Sequence, residues 1–179
     1  PTKFDPYEEK RELDNRSLVL IGGDGSGYDY GEKDWYRLAF EFKNINTTFV
    51  NSRRTPKFAW KNLKENSGKN HNFLDLENTP FNRLQEAIDA HSHIFVTADS
   101  TSMIVEIITR GYFVNVIELR GPIKREHHHD VIDSFKKRGL LRVLKLNQLQ
   151  LSDQKYQDIV KDFVLSERES LKQRIFELV

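Results

Sequence analysis

The stretch IFVTADSTSMIVE, residues 94–106, decides the fold of this chain. Its apolar start, Ile94 to Val96, predicts a buried strand, which a short polar turn connects to a helix with hydroxyl side chains in its first turn. A second junction of this kind, LVLIGGDGSG at 18–27, joins an apolar strand to a glycine-rich loop. Two such junctions predict an α/β protein that holds a phosphate-bearing ligand at the carboxyl ends of its strands.

Strand-like and helix-like segments alternate along the rest of the chain. The predicted strands are 18–21, 47–50, 73–74, 94–97, 113–117 and 141–144. The predicted helices are 32–43, 56–66, a segment that begins at 80, 100–110, 125–138 and a long C-terminal helix at 152–178. We expect Thr55 and Thr79 to cap the helices that begin at Pro56 and Pro80, and Gly111 to end the 100–110 helix.

This alternation predicts a Rossmann-like parallel sheet that is flanked by helices on both faces. Right-handed crossovers place the carboxyl ends of all the strands at one edge of such a sheet. The loops at Gly22, Asn51 and Thr97 should therefore meet at that edge.

Length and composition limit the classes of protein to consider. The 179 residues suffice for one domain, so we expect a lead-in or linker over 1–16 and a single domain over 17–179. Lys and Arg number 28 against 27 Asp and Glu, a balance that argues against a nucleic-acid partner. The chain has no cysteine, which excludes disulfides, thiol catalysis and Cys-ligated zinc. No apolar run predicts a transmembrane segment or a secretory leader, so we expect a cytoplasmic protein, or one peripheral at a membrane surface.

The glycine-rich loop at 22–27 matches neither standard nucleotide fingerprint. It lacks the lysine of a phosphate-binding P-loop, and Tyr28 stands where G-x-G-x-x-G requires glycine. Its glycines would still let backbone amides approach a diphosphate closely. A plain turn after a strand fits the same residues equally well.

The loop after the second strand carries two adjacent arginines. Ser52, Arg53, Arg54 and Thr55 precede a predicted helix start, and this arrangement suits an anionic ligand. Taken alone, a solvated basic turn with Thr55 as the cap is the commoner explanation for such a loop.

The residue pattern of the predicted helix at 100–110 indicates one apolar face and one polar face. Ser102 and Glu106 lie one turn apart on the polar face, while Ser100 and Thr101 offer hydroxyls and amides at the N-terminus. Glu106 could accept hydrogen bonds from a sugar diol, or it could simply face solvent. The predicted apolar face consists of Met103, Ile104, Ile107 and Ile108.

The run EHHHD at 126–130 invites interpretation as a metal site. Consecutive histidines on a helix point about 100° apart, so they cannot all reach one ion. We therefore expect a solvated helix start and no metal site.

Together these motifs resemble the mitochondrial fission ELM family, a group of bacterial and plant proteins related to glycosyltransferases of the two-domain GT-B fold. The resemblance is carried by LIGG at 20–23, SRRTP at 52–56, VTADSTSMIVE at 96–106 and GYFVNVIEL at 111–119. It covers roughly residues 17–140, in the order and spacing of the family.

The resemblance implies that this chain is the C-terminal, nucleotide-binding half of a GT-B-like protein. The implied ligand is a nucleoside-diphosphate sugar, with no tightly bound cofactor, and an N-terminal Rossmann-like domain absent from this chain is the implied partner. Catalytic residues are not identified, and this piece alone is expected to be inactive. A non-catalytic interaction module of the same fold is the alternative. The resemblance also implies the binding residues. Gly22 and Gly23 would lie near the diphosphate or acceptor cleft, and the nucleotide pocket would be lined by Ser52, Arg53, Arg54 and Thr55. The phosphates would be faced by Ser100, Ser102 and Met103, with Asp99 beside them, and Glu106 would bind the ribose hydroxyls.

Overall fold

The structure, a computed structural model, describes residues 16–23, 25, 27–124, 127–149, 151 and 154–176. The predicted lead-in lies outside this description except for Arg16, as do Asp24 and Ser26 of the glycine-rich loop and the outermost residues of the last two predicted helices. The side chains of five residues within these ranges also lie outside the description: Phe81, His128, Gln154, Ile175 and Phe176.

Six strands alternate with six α-helices over the described part of the chain, in the predicted order. A 3-10 turn at Leu146–Gln148, which the sequence pattern did not predict, follows the last strand. The bounds are β1 Arg16–Leu20, α1 Glu32–Glu41, β2 Asn46–Val50, α2 Lys57–Glu65, β3 His71–Leu74, α3 Phe81–Ala90, β4 His93–Thr97, α4 Thr101–Thr109, β5 Val114–Glu118, α5 His127–Lys137, β6 Leu141–Lys145 and α6 Gln154–Phe176.

The strands form one parallel sheet in the order β3-β2-β1-β4-β5-β6. The prediction of a Rossmann-like α/β fold is therefore confirmed. Strands β2 and β3 lie on one side of β1, in chain order. Strand β4 then pairs with the other side of β1, and β5 and β6 follow it there. Open α/β sheets bind their ligands at such a reversal point, outside the carboxyl ends of the two central strands.

Aromatic side chains fill the core between the sheet and α1. The Phe95 ring packs edge-on against Phe42, with the ring centroids 5.1 Å apart, and Phe42 packs edge-on against Phe49 at 5.9 Å. Trp35 and Leu38 of α1 are fully buried because they lie on the same helical face as Phe42. This packing fixes β1, β2 and β4 side by side and so sets the positions of the loops that follow them.

The predicted helix caps are wrong at two positions. Helices α2 and α3 begin directly after Pro56 and Pro80, and neither start has a side-chain cap. The Thr55 hydroxyl bonds to another loop instead. The prediction for Gly111 is confirmed, because its φ of 86° lies in the left-handed region that ends a helix.

The C-terminal helix α6 is the longest, at 23 residues. It is rich in charged side chains, and most positions beyond Val164 are solvent-exposed or half-buried. Of the helices in the described ranges, none has the length and apolar character of a membrane span.

We expect replacement of Phe95 with alanine to lower the free energy of unfolding by about 3–5 kcal/mol, because the side chain is fully buried in a central strand. Phe40→Ala is the matched control, since Phe40 on α1 is 59% exposed and should change stability by less than about 0.5 kcal/mol. Urea denaturation followed by circular dichroism measures both. Equal effects of the two substitutions would contradict the assigned core.

Candidate functional site

The loops after β1, β2 and β4 meet at the carboxyl edge of the sheet, as predicted. The Gly22 amide donates to the Thr97 hydroxyl at 2.8 Å, and the Gly23 amide donates to Asp99 Oδ2, also at 2.8 Å. The Ile21 amide donates to the Val50 carbonyl at 2.8 Å. Residues far apart along the chain therefore form one continuous surface at the reversal point of the sheet.

The two glycines allow the protein to pack closely against itself. A Cβ atom on Gly22 would lie 2.0 Å from Asp99 Oδ2, and one on Gly23 would lie 2.0 Å from the Arg54 carbonyl oxygen. Neither position has room for a side chain. Close contact within the protein is thus sufficient to require glycine here, and a role beside a diphosphate stays a prediction.

The Ser52 and Thr55 hydroxyls hold the second loop against the first. The Thr55 hydroxyl donates to the Gly22 carbonyl at 2.6 Å and accepts the Ser52 amide at 2.8 Å. Ser52 Oγ also donates to the Gly22 carbonyl, at 3.0 Å. Both hydroxyls are engaged within the protein, so in this arrangement they position Arg54 rather than face a ligand.

The two arginines of this loop differ in their surroundings. Arg54 Nη2 donates to Ser100 Oγ at 3.1 Å and lies 3.3 Å from Asp99 Oδ2, while the side chain stays 44% exposed. Arg53 is exposed and makes no hydrogen bond or ion pair with any residue that the structure describes. Of the two arginines, Arg54 is therefore the one that contacts the start of α4.

The N-terminus of α4 has no side-chain cap. Ser100 occupies the cap position without a side-chain cap, because its hydroxyl accepts a hydrogen bond from Arg54 instead. The first amides of an α-helix have no partner within the helix, and the helix dipole adds partial positive charge there. The Thr101 hydroxyl in the first turn is buried and has no hydrogen-bond partner among the described residues. The Arg54 guanidinium thus reaches the start of α4, where the helix has no side-chain cap.

The remaining predicted residues lie along α4. Ser102 and Glu106 are exposed, and Met103 is half-buried against the core. The Glu106 carboxylate is paired with Arg110, with Oε1 and Nη2 2.6 Å apart. The predicted separation of polar and apolar faces is confirmed, because the buried positions of the helix are Ile104, Ile107 and Ile108.

Asp99 is the most perturbed carboxyl group of the site. Burial raises its pKa to about 6, although the Thr97 hydroxyl, the Gly23 amide and the Arg54 guanidinium oppose that rise. Asp99 Oδ1 is buried and has no hydrogen-bond partner among the described residues. Burial, together with the Asp99 charge, also raises the pKa of Tyr30. Because the Asp99 side chain has no exposed surface, it acts on a ligand only through Arg54 and the loops.

The histidine run starts α5, and only part of it is solvated. His127 is exposed and lies 3.5 Å from Asp130. The expectation of a solvated helix start is wrong for His129, which is buried with its ring 5.4 Å from the Tyr28 ring. The glycine-rich loop returns across α5 at this point, a contact that helical periodicity alone could not reveal.

The sequence pattern also missed a cleft of about 360 Å³ beside α5. Its charged lining residues, Glu118, Asp133, Lys136 and Lys145, come from separate segments of the chain. The spacing of His129, Asp133 and Lys136 along one helical face was the available signal.

A model of the family described as Mitochondrial fission ELM1 matches residues 6–163 of the chain. No curated protein matches the chain.

We expect Asp99→Asn to change how stability depends on pH. The folded-state pKa lies above the ordinary value, so between about pH 4 and pH 6 the folded wild type binds more protons than the unfolded chain. The free energy of unfolding of the wild type should therefore fall relative to that of the variant as pH rises through this window, by about 3 kcal/mol in total. Urea titrations at a series of pH values measure the difference. A difference that does not vary with pH would show that Asp99 titrates normally.

We expect Gly23→Ala to destabilise the protein by about 2–4 kcal/mol, because the new methyl group would clash with the Arg54 backbone. Gly121→Ala is the control, since a Cβ at Gly121 meets no atom within 4 Å. Thermal denaturation compares the two variants. If Gly23→Ala melts at the wild-type temperature, the close packing of the first two loops is not present in solution.

Proposed function

Because the chain belongs to the mitochondrial fission ELM1 family, we propose that it binds a nucleoside-diphosphate sugar at the N-terminus of α4. The observation that carries this proposal is the position of Arg54. Its guanidinium donates to Ser100 Oγ at the start of α4 and lies beside Asp99, and nearly half of the side chain stays exposed. A group with two negative charges complements such a site.

The diphosphate would accept hydrogen bonds from Arg54 and from the first amides of α4. Arginine suits this role because its planar donors fit two phosphate oxygens at once. The Asp99 carboxylate neutralises part of the Arg54 charge, but it also orients the guanidinium, so less conformational freedom is lost on binding.

The nucleoside would extend along the exposed face of α4 toward Glu106. Ser102 and Glu106 lie one turn apart on this face, and a carboxylate at the second position can accept hydrogen bonds from two ribose hydroxyls. To do so, Glu106 would exchange its pairing with Arg110 for the ligand. That pairing is half-exposed, and surface ion pairs contribute little to stability, so the exchange costs little.

In glycosyl transfer, the bond between the sugar and the diphosphate breaks and its electron pair stays on the diphosphate oxygen. Arg54 and the α4 amides would stabilise that developing charge. The acceptor hydroxyl attacks the sugar, and its proton passes to a base. Asp99 has a suitable pKa but a buried side chain, so we assign the base to the proposed N-terminal domain.

A non-catalytic interaction module is the second candidate function. It is favoured by the fact that the Ser52 and Thr55 hydroxyls are satisfied within the protein and that Glu106 is paired with Arg110. A domain with this fold could keep these internal contacts without binding a nucleotide.

Calorimetric titration with UDP, GDP and their sugars tests the proposal. We expect one nucleotide series to bind, and Arg54→Gln to weaken that binding by about tenfold or more. Arg53→Gln should have a smaller effect, because the Arg53 side chain is exposed and makes no hydrogen bond or ion pair with any described residue of α4. Lys61→Gln on α2 serves as the charge-matched control, since Lys61 pairs only with Glu65 on the surface.

Glu106→Gln separates the nucleoside contact from the diphosphate contact. It should weaken binding of the nucleotide while leaving the binding of inorganic pyrophosphate unchanged. If no nucleotide binds at about millimolar concentration, a Kd that corresponds to only about 4 kcal/mol, the interaction module is the better description.

A further inference from the structure

A cleft of about 360 Å³ opens between α5 and the carboxyl ends of β5 and β6. Its lining, taken over the part of the chain that the structure describes, includes none of the residues predicted to bind a nucleotide. A cavity of this size, lined by both apolar and charged side chains, is typical of a small-molecule site. We refer to it as the α5 cleft.

The sheet contributes two opposite charges to the α5 cleft. Glu118 and Lys145 are register partners at the ends of β5 and β6, so their side chains lie on the same face of the sheet. Both line the cleft, yet neither forms an ion pair or hydrogen bond through its side chain with any described residue. Glu118 is half-buried and Lys145 is exposed, which places the carboxylate deeper than the ammonium group.

Helix α5 contributes the opposite wall. His129, Asp133 and Lys136 follow one another at intervals of four and three residues, so they share one helical face, and all three line the cleft. Lys136 is exposed and makes no ion pair within the described residues. The buried His129 ring packs against the Tyr28 ring and closes this side.

The charges of the α5 cleft select for a ligand that carries both signs. A purely anionic molecule would meet the Glu118 and Asp133 carboxylates, and a purely cationic one would meet Lys136 and Lys145. A molecule with an ammonium group and a carboxylate can satisfy both sets at once. The lining also includes the apolar residues Ala98, Val116 and Val143, which can contact a short aliphatic group.

We propose that the α5 cleft binds a small zwitterion, an α-amino acid, with its ammonium group on Glu118 and its carboxylate between Lys136 and Lys145. The proposal is independent of nucleotide binding, since the two sites share no lining residue.

Ligand-observed NMR with this chain and each standard amino acid in turn tests this assignment. We expect at least one amino acid to bind with a Kd of about millimolar or tighter. Glu118→Gln and Lys145→Gln should each weaken it by about tenfold, because each removes one of the paired charges. Lys137→Gln is the matched control, as Lys137 is an exposed lysine of α5 that does not line the cleft.

Succinate and 1,4-diaminobutane test the requirement for both charges. Each carries a single kind of charge, so each should bind at least about tenfold more weakly than the preferred amino acid. Equal or tighter binding of either compound would overturn the zwitterion assignment. Absence of binding by every amino acid at about 10 mM would overturn the site itself.

Thermal denaturation of each variant separates lost binding from lost folding. Glu118→Gln and Lys145→Gln should melt within a few degrees of the wild type, because neither side chain has a partner among the described residues. A variant that folds and binds like the wild type would contradict the proposed contacts. Nucleotide titration of the same variants should be unchanged, so a failure of either proposal can be recognised without the other.

Discussion

The Asp99 carboxylate connects the three loops that define the edge of this sheet. It accepts the Gly23 amide, lies beside the Arg54 guanidinium, and leaves no room for a side chain on Gly22. These contacts join the ends of β1, β2 and β4. A buried carboxylate is costly unless hydrogen bonds and an opposite charge compensate it, and here one oxygen is satisfied while the other has no partner among the described residues. The site is therefore built around a group that raises the energy of the folded state at neutral pH.

Much of the fold could be predicted from the sequence, because hydrophobic periodicity is a local property. The apolar run at Ile94–Val96 and the spacing of Trp35, Leu38 and Phe42 gave the strand and helix types directly. The predicted helix caps at Thr55 and Thr79 are wrong for a physical reason. A hydroxyl placed before a helix can bond to any nearby acceptor, and that of Thr55 found the Gly22 carbonyl on a neighbouring loop, which lies 33 positions earlier in the chain.

The candidate site was predictable in position but only partly in detail. Parallel topology alone brings Arg54 and Ser100 to one edge, so their proximity followed from the fold class. The sequence could not distinguish Arg53 from Arg54, since only the tertiary structure decides which side chain faces α4. The α5 cleft was not predicted either, because its charged residues come from β5, β6 and α5, which are separate along the chain.

The lack of space at Gly22 and Gly23 has a consequence for how a molecule would reach this edge. Loops rich in glycine often move as flaps that fold over a substrate. Here the backbone at Gly22 and Gly23 lies directly against the Asp99 carboxylate and the Arg54 carbonyl, so movement of these two residues would break contacts at the core of the site. Capture of a ligand would then resemble docking onto a preorganised surface, with its speed set by diffusion and electrostatic steering instead of by closure of a lid.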